Sequence, residues 1–193
     1  MTRRSAQQGG ASRRCGTRPS GTRGSGTIYR LNKMPACSSI YIAAIYGHVK
    51  CFKKHIKKGF VVDDKVVTYA IRFNHIDLLE YIIDTNIVLI EQFCVTAIVN
   101  CSSECLALLL KHHCPCTEYS WVVVATRGSL DCAKVLTLYR IPWSKEVFHL
   151  AAIAGNMSVV EYLYKSGCPY TEFSLCVIRE NEPNFKLYFG DIH

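Results

Sequence analysis

The stretch FHLAAIAGNMSVVEYLYKSGCPY, residues 148–170, decides the fold. After Gly155 the apolar residues Val159, Val160, Leu163 and Tyr164 follow the spacing i, i+1, i+4, i+5, which gathers them on one face of a helix. Gly167 stands where that helix must stop, and glycine tolerates the left-handed conformation used there. Pro169 then prevents continuation, and Thr171 offers a hydroxyl to cap whatever helix comes next. The stretch therefore reads as helix, turn, helix, short link.

Written outward in rows of 27, the chain repeats this unit. Ala43, Ala70, Ala97, Val124 and Ala151 align, and four columns later so do Gly47, Asn74, Cys101, Gly128 and Gly155, five rows without a gap. The second-helix face recurs as Cys51, Phe52, His55, Ile56; Leu78, Leu79, Ile82, Ile83; Cys105, Leu106, Leu109, Leu110; and Cys132, Ala133, Leu136, Thr137. A sixth row fits once one residue is deleted, placing Phe185 and Phe189 in the core columns and Pro183 near a helix start. The stop column reads Gly59, Asn86, His113, Arg140 and Gly167, with His113 and Arg140 as its exceptions. Prolines 115, 142 and 169 follow, and Thr117, Ser144 and Thr171 are the expected N-caps of the next helix. His48, His75, Ser102, Ser129 and Asn156 are expected to cap the second helix of each row, with Asp77, Glu104 and Asp131 adding favourable charge to its first turn.

The order Phe148, His149, Leu150, Ala151, Ala152, Gly155, Asn156, Val159, Val160, Leu163, Gly167 resembles the core of an ankyrin repeat, and Ala43, Ala44, Gly47, His48 repeat part of it. Ordinary ankyrin units run about 33 residues, so roughly six are missing from the link that usually projects as a finger. The short unit is similar to the 27-residue ankyrin arrays of giant DNA viruses and some protists, and the likeness covers residues 38–189. The fold class expected is all-α: a helical solenoid of about six helix-turn-helix repeats, near 37–62, 63–89, 90–116, 117–143, 144–170 and 171–193, within an array of residues 34–193. A lone row buries too little apolar surface to offset its ordering entropy, so stability must come from stacking.

Ahead of the array lies a different composition. The net charge of +8 is carried wholly by residues 1–33, which hold eight Arg or Lys and no acid, whereas residues 34–193 hold fifteen of each sign. Residues 1–33 are expected to form a disordered Arg/Gly/Ser-rich basic tail, since residues 1–27 are built of Gly, Ser, Thr, Arg and Gln with little to bury. A transit peptide needs an apolar stripe that the tail's glycines interrupt; a start at Met34 is another reading of the same segment. The longest uncharged run, 16 residues from Met34 to Val49, is too short and too polar to span a bilayer.

Candidate functional residues come from two places. The column before the inter-helix glycine reads Tyr46, Phe73, Asn100, Arg127 and Ala154, varied enough for a recognition surface, although Tyr46 and Phe73 are equally suited to packing between rows. In ankyrin-like stacks the partner lies on the concave side against the first helices, so the resemblance implies a binding role for Tyr46, Phe73, Asn100 and Arg127. Lys50, Lys53, Lys54, Lys57 and Lys58 form one helical stripe, either an anion-binding surface or the solvated face of a terminal repeat.

The eleven cysteines, including the run His112-His113-Cys114-Pro115-Cys116, mostly share columns with Leu, Val, Ile, Trp or Phe, as small hydrophobes do, and no C-x2-C pair starts a zinc site. The expectation is no metal, no cofactor and no disulfide, in a reducing intracellular setting, cytoplasmic (of a host cell if viral) or nuclear. No catalytic motif is present in the sequence. The resulting reading is a monomeric, non-catalytic protein-interaction module acting on cellular or host partners; the competing class is a nucleic-acid or polyanion binder using the tail and the lysine stripe.

Overall fold

The computed structural model describes residues 37–181; the basic tail and the Phe185–Phe189 part of the sixth row lie outside them. Every regular element among the described residues is a helix. In chain order these are α1 (Ile40–Ile45), α2 (Val49–Lys57), α3 (Asp64–Arg72), α4 (Ile76–Ile83), α5 (Glu91–Val99), α6 (Ser103–Lys111), α7 (Tyr119–Arg127), α8 (Leu130–Leu138), α9 (Val147–Ile153), α10 (Met157–Lys165) and α11 (Glu172–Asn181). Odd-numbered helices form one layer and even-numbered helices the other. The alanine column and Val124 are fully buried in the first layer. Small side chains there let neighbouring first helices pack more closely than neighbouring second helices do.

The two turn columns set this geometry. All ten described residues with positive φ fall in them: Gly47, Asn74, Cys101, Gly128 and Gly155 between the helices of a row, and Gly59, Asn86, His113, Arg140 and Gly167 at its end. His113 (φ 59°) and Arg140 (φ 55°) are exceptions in residue type only. Each takes the left-handed conformation at a cost of about 1 kcal/mol because the helix-end hydrogen bonds repeat around it. Cys114 N–H donates to Leu109 O and Ile141 N–H to Leu136 O, both at 3.0 Å, as Cys168 N–H does to Leu163 O.

The expected helix caps need correction. Ser39, Asp63 and Thr171 do cap their helices, accepting from Ile42 N (3.2 Å), Val66 N (3.0 Å) and Ser174 N (3.3 Å). Thr117 accepts from Tyr119 N at 3.3 Å and donates to Glu91. Ser144 does not cap: Val147 N–H bonds to the Ser144 carbonyl at 3.3 Å, and the Ser144 hydroxyl is buried with no hydrogen-bond partner among the described residues.

None of His48, His75, Ser102, Ser129 or Asn156 caps the helix that follows it. Three of them reach back one repeat instead. His75 Nε2 donates to Ile45 O (2.8 Å), Ser102 Oγ to Ile71 O (3.0 Å) and Asn156 Nδ2 to Ala125 O (2.5 Å). Those carbonyls lie in the last turn of α1, α3 and α7, where intrahelical donors run out, although Ile71 O also accepts from Asn74 N–H of the following turn at 3.0 Å. In the fourth row Arg127 takes this part, its guanidinium donating to Val99 O at 3.0 Å.

This contact explains which rows carry glycine between their helices. A Cβ at Gly47 would lie 2.5 Å from Nδ1 of His75, and one at Gly128 would lie 2.5 Å from Oδ1 of Asn156. Asn74 and Cys101 carry side chains at the same position, and the residues 28 positions later are serines, Ser102 and Ser129. A large reaching side chain thus requires glycine beneath it, and a serine does not.

Two outcomes follow for stability in urea. Gly59→Ala, at φ 87° with open space around it, should cost about 1 kcal/mol, whereas Gly47→Ala should cost about 1 to 3 kcal/mol more. Adding His75→Ser should recover most of that difference in a double-mutant cycle, and additive losses would contradict the steric pairing. His113→Gly and Arg140→Gly should each stabilise by roughly 0.5 to 1 kcal/mol, read as a higher denaturation midpoint at unchanged slope.

Candidate functional site

Tyr46, Phe73 and Asn100 are the C-cap residues of α1, α3 and α5, and Arg127 is the last residue of α7. They form a ladder along the C-terminal ends of the closely packed first helices. Tyr46 is 64% exposed and Phe73 40%, so neither ring fills the space between rows. Each instead stacks on the next histidine in sequence: Tyr46 on His48 (centroids 5.8 Å, planes 24° apart) and Phe73 on His75 (6.3 Å, 28°). Since His75 is tied to Ile45 O, the Phe73 ring is oriented by an inter-repeat contact. Asn100 is exposed and donates to Thr96 O of its own helix at 2.8 Å. Arg127 is both exposed and structural, through its bond to Val99 O.

The same layer presents aromatics that the sequence reading missed. Tyr41 is exposed, its hydroxyl donating to Asp63 at 2.8 Å and its ring meeting Tyr69 edge-on at 6.5 Å. Phe173 is 67% exposed against His149, with ring centroids 5.2 Å apart, beside a shallow depression lined also by Phe148, Tyr170 and Lys145. The register held a signal for it. Ser38, Lys65, Gln92 and Glu146 make its column a polar one, and Tyr119 and Phe173 are its aromatic members, both exposed.

The lysine stripe lies on α2, a second-layer helix, and all five ammonium-bearing residues are exposed. Among the described residues none of the five is ion-paired. Lys53 sits over the Tyr81 ring of the next repeat at 4.4 Å, and Lys54 and Lys57 occupy the last turn of α2, where cations favour the helix dipole. The ladder and the stripe are carried by different layers.

Stacked helix pairs joined by left-handed turns, with the first helices packed most closely, have a counterpart among solved structures. The human ASB11 ankyrin repeat domain superposes with a TM-score of 0.57 at 17% sequence identity, covering 73% of this chain and 76% of that one. The fold is that of an ankyrin repeat domain. No protein-family model matches the sequence, and no curated protein does. Within this ankyrin fold, no helix of the described residues is long and apolar enough to cross a membrane.

The cysteines divide by environment. Cys105 and Cys132 are fully buried in the second-helix face, beside Leu78 and Val159 in register, and burial pushes the Cys105 thiol up to about 12. Burial likewise pushes Cys168 up to about 11. Cys116 differs. The Cys94 thiol facing it from α5 and the Ser120 hydroxyl at 3.1 Å favour its thiolate and bring it down to about 7, while Cys94 itself is held protonated. The run from His112 to Cys116 does not converge as a ligand set among the described residues; the three that do are Cys37, His48 and Cys51. Nine described cysteines are free. Cys101, in the turn between α5 and α6, is disulfide-bonded, which corrects the expectation of no disulfide.

In the folded chain iodoacetamide at pH 7.5 should therefore label Cys116 well before Cys105 or Cys168, with a rate that rises through a midpoint of about 7. Ser120→Ala should move that midpoint upward, since it removes a donor to the thiolate. Peptide mapping by mass spectrometry reads both effects.

Proposed function

We propose that the array is a non-catalytic protein-interaction module that binds a protein partner through the ladder Tyr46, Phe73, Asn100 and Arg127. The observation that carries this reading is the placement of Tyr46 and Phe73. Both rings are solvent-exposed on the closely packed layer yet fixed by stacking on histidines, so they lose little freedom on binding. Desolvated aromatic and arginine anchors supply most of the affinity in protein interfaces, and this ladder offers both. Tyr41 and Phe173 extend the apolar area along the same layer.

The reading extends to a monomeric intracellular protein of a giant DNA virus or a protist, in the cytoplasm of its own or a host cell or in the nucleus, supported by the 27-residue unit and, against the disulfide at Cys101, by nine free thiols among the described residues. A second reading, binding of nucleic acid or another polyanion, is favoured by the five exposed lysines of α2 and its C-cap, none of them ion-paired among the described residues.

Tyr46→Ala with Phe73→Ala should weaken a partner captured by the wild-type chain by about 10-fold or more, while Lys53→Glu with Lys57→Glu should change its affinity little. For a polyanion binder the ranking reverses and affinity falls steeply with salt. Circular dichroism melts must first show that both double mutants remain folded. Full partner binding by a folded Tyr46→Ala, Phe73→Ala chain would remove the ladder from the interface.

A further inference from the structure

We propose that Cys37, His48 and Cys51 form a three-ligand zinc site at the N-terminal end of the described array, holding the segment before α1 against the start of α2. The sulfur of Cys37 lies 3.1 Å from Nδ1 of His48, and the ligand atoms of all three residues lie within 4.8 Å of one another. A tetrahedral zinc ion with ordinary Zn–S and Zn–N bonds holds such atoms about 3.5 to 3.8 Å apart, so small side-chain rotations close the site. Two thiolates and a neutral imidazole leave the complex without net charge, which suits a position on the lysine-bearing helix. Three protein ligands leave one coordination position for water or for a donor from elsewhere.

The repeat register separates these residues from core filler. Cys37 aligns with Asp64, Glu91, Glu118, Lys145 and Glu172, a column of charged residues in which it alone is apolar and buried. Cys51 aligns with Leu78, Cys105, Cys132 and Val159, all fully buried, yet Cys51 itself is half-exposed. His48 aligns with His75, Ser102 and Asn156, whose side chains reach the preceding repeat. Among the described residues no repeat precedes His48, and its ring turns to Cys37 instead. Outer partners hold the geometry. His55 Nε2 donates to the Cys37 carbonyl at 2.9 Å, and Tyr46 stacks on the His48 ring. The sequence reading expected no metal because the cysteines share columns with apolar residues and no C-x2-C pair is present; these three residues are brought together by the turn between α1 and α2.

The test uses the full chain, freed of metal and kept reduced, titrated with zinc against a chromophoric chelator and, separately, with cobalt(II). One equivalent of zinc should bind, cobalt should give the absorption of tetrahedral thiolate coordination, and saturating zinc should raise the thermal midpoint by roughly 5 °C. Cys37→Ser and Cys51→Val should each abolish uptake and the thermal shift, while Cys132→Val should keep both. Cys51→Val retains the apolar volume its column accepts, so its fold is expected to survive and its melt without metal to match wild type. The proposal is overturned by absence of zinc uptake in the wild-type chain, by equal uptake in the Cys37→Ser and Cys51→Val chains, or by uptake that Cys116→Ser abolishes and Cys37→Ser does not.

Discussion

The array depends on a hydrogen bond that crosses from one repeat to the one before it. A helix end leaves carbonyls without donors, and a stack of short helices multiplies such ends. Here the next repeat supplies the donor, from His75, Ser102, Asn156 or, in one row, Arg127. The backbone of the same residue often closes the helix end as well: the N–H groups of His75, Ser102 and Asn156 bond to Ala70, Ala97 and Ala151 at 2.8 to 3.0 Å. One residue thus ends its own first helix and satisfies the first helix of its predecessor. The left-handed turn before it is what aims both groups.

Much of this was legible in the sequence and some was misread. The 27-residue period and the alanine and glycine columns carry the fold because each records a steric demand, and steric demands are local. His113 and Arg140 hid the regularity of the stop column, since the backbone there is imposed by hydrogen bonds that residue type does not reveal. The polar residues before each second helix looked like N-caps because a polar residue in that place usually is one. Their true acceptors are about 30 residues upstream, beyond the reach of a local pattern.

The candidate site was legible as positions rather than as a surface. The variable column before the glycines was visible, but whether Tyr46 and Phe73 were core or exposed turned on where their rings lie relative to the neighbouring row. Stacking on His48 and His75 places them outside it. The cysteines show the same limit from the other side. Register correctly marks Cys105 and Cys132 as small hydrophobes in the core. It says nothing of the pairing that draws Cys116 and Cys94 apart in acidity, which arises between an α5 side chain and a link more than twenty residues away.

The matching of glycine to a large reaching side chain, and of a side-chain-bearing turn to serine, makes the repeats order-specific building blocks. Excising whole rows so that the first joins the fifth would set Asn156 over Gly47, a permitted pair. Joining the third to the fifth would set Asn156 over Cys101, where the aperture is already filled. Duplication and loss of units in such an array are therefore constrained by a compatibility rule at each junction. Lineages of this array are expected to change length most readily at junctions where the turn residue and the side chain above it already agree in size.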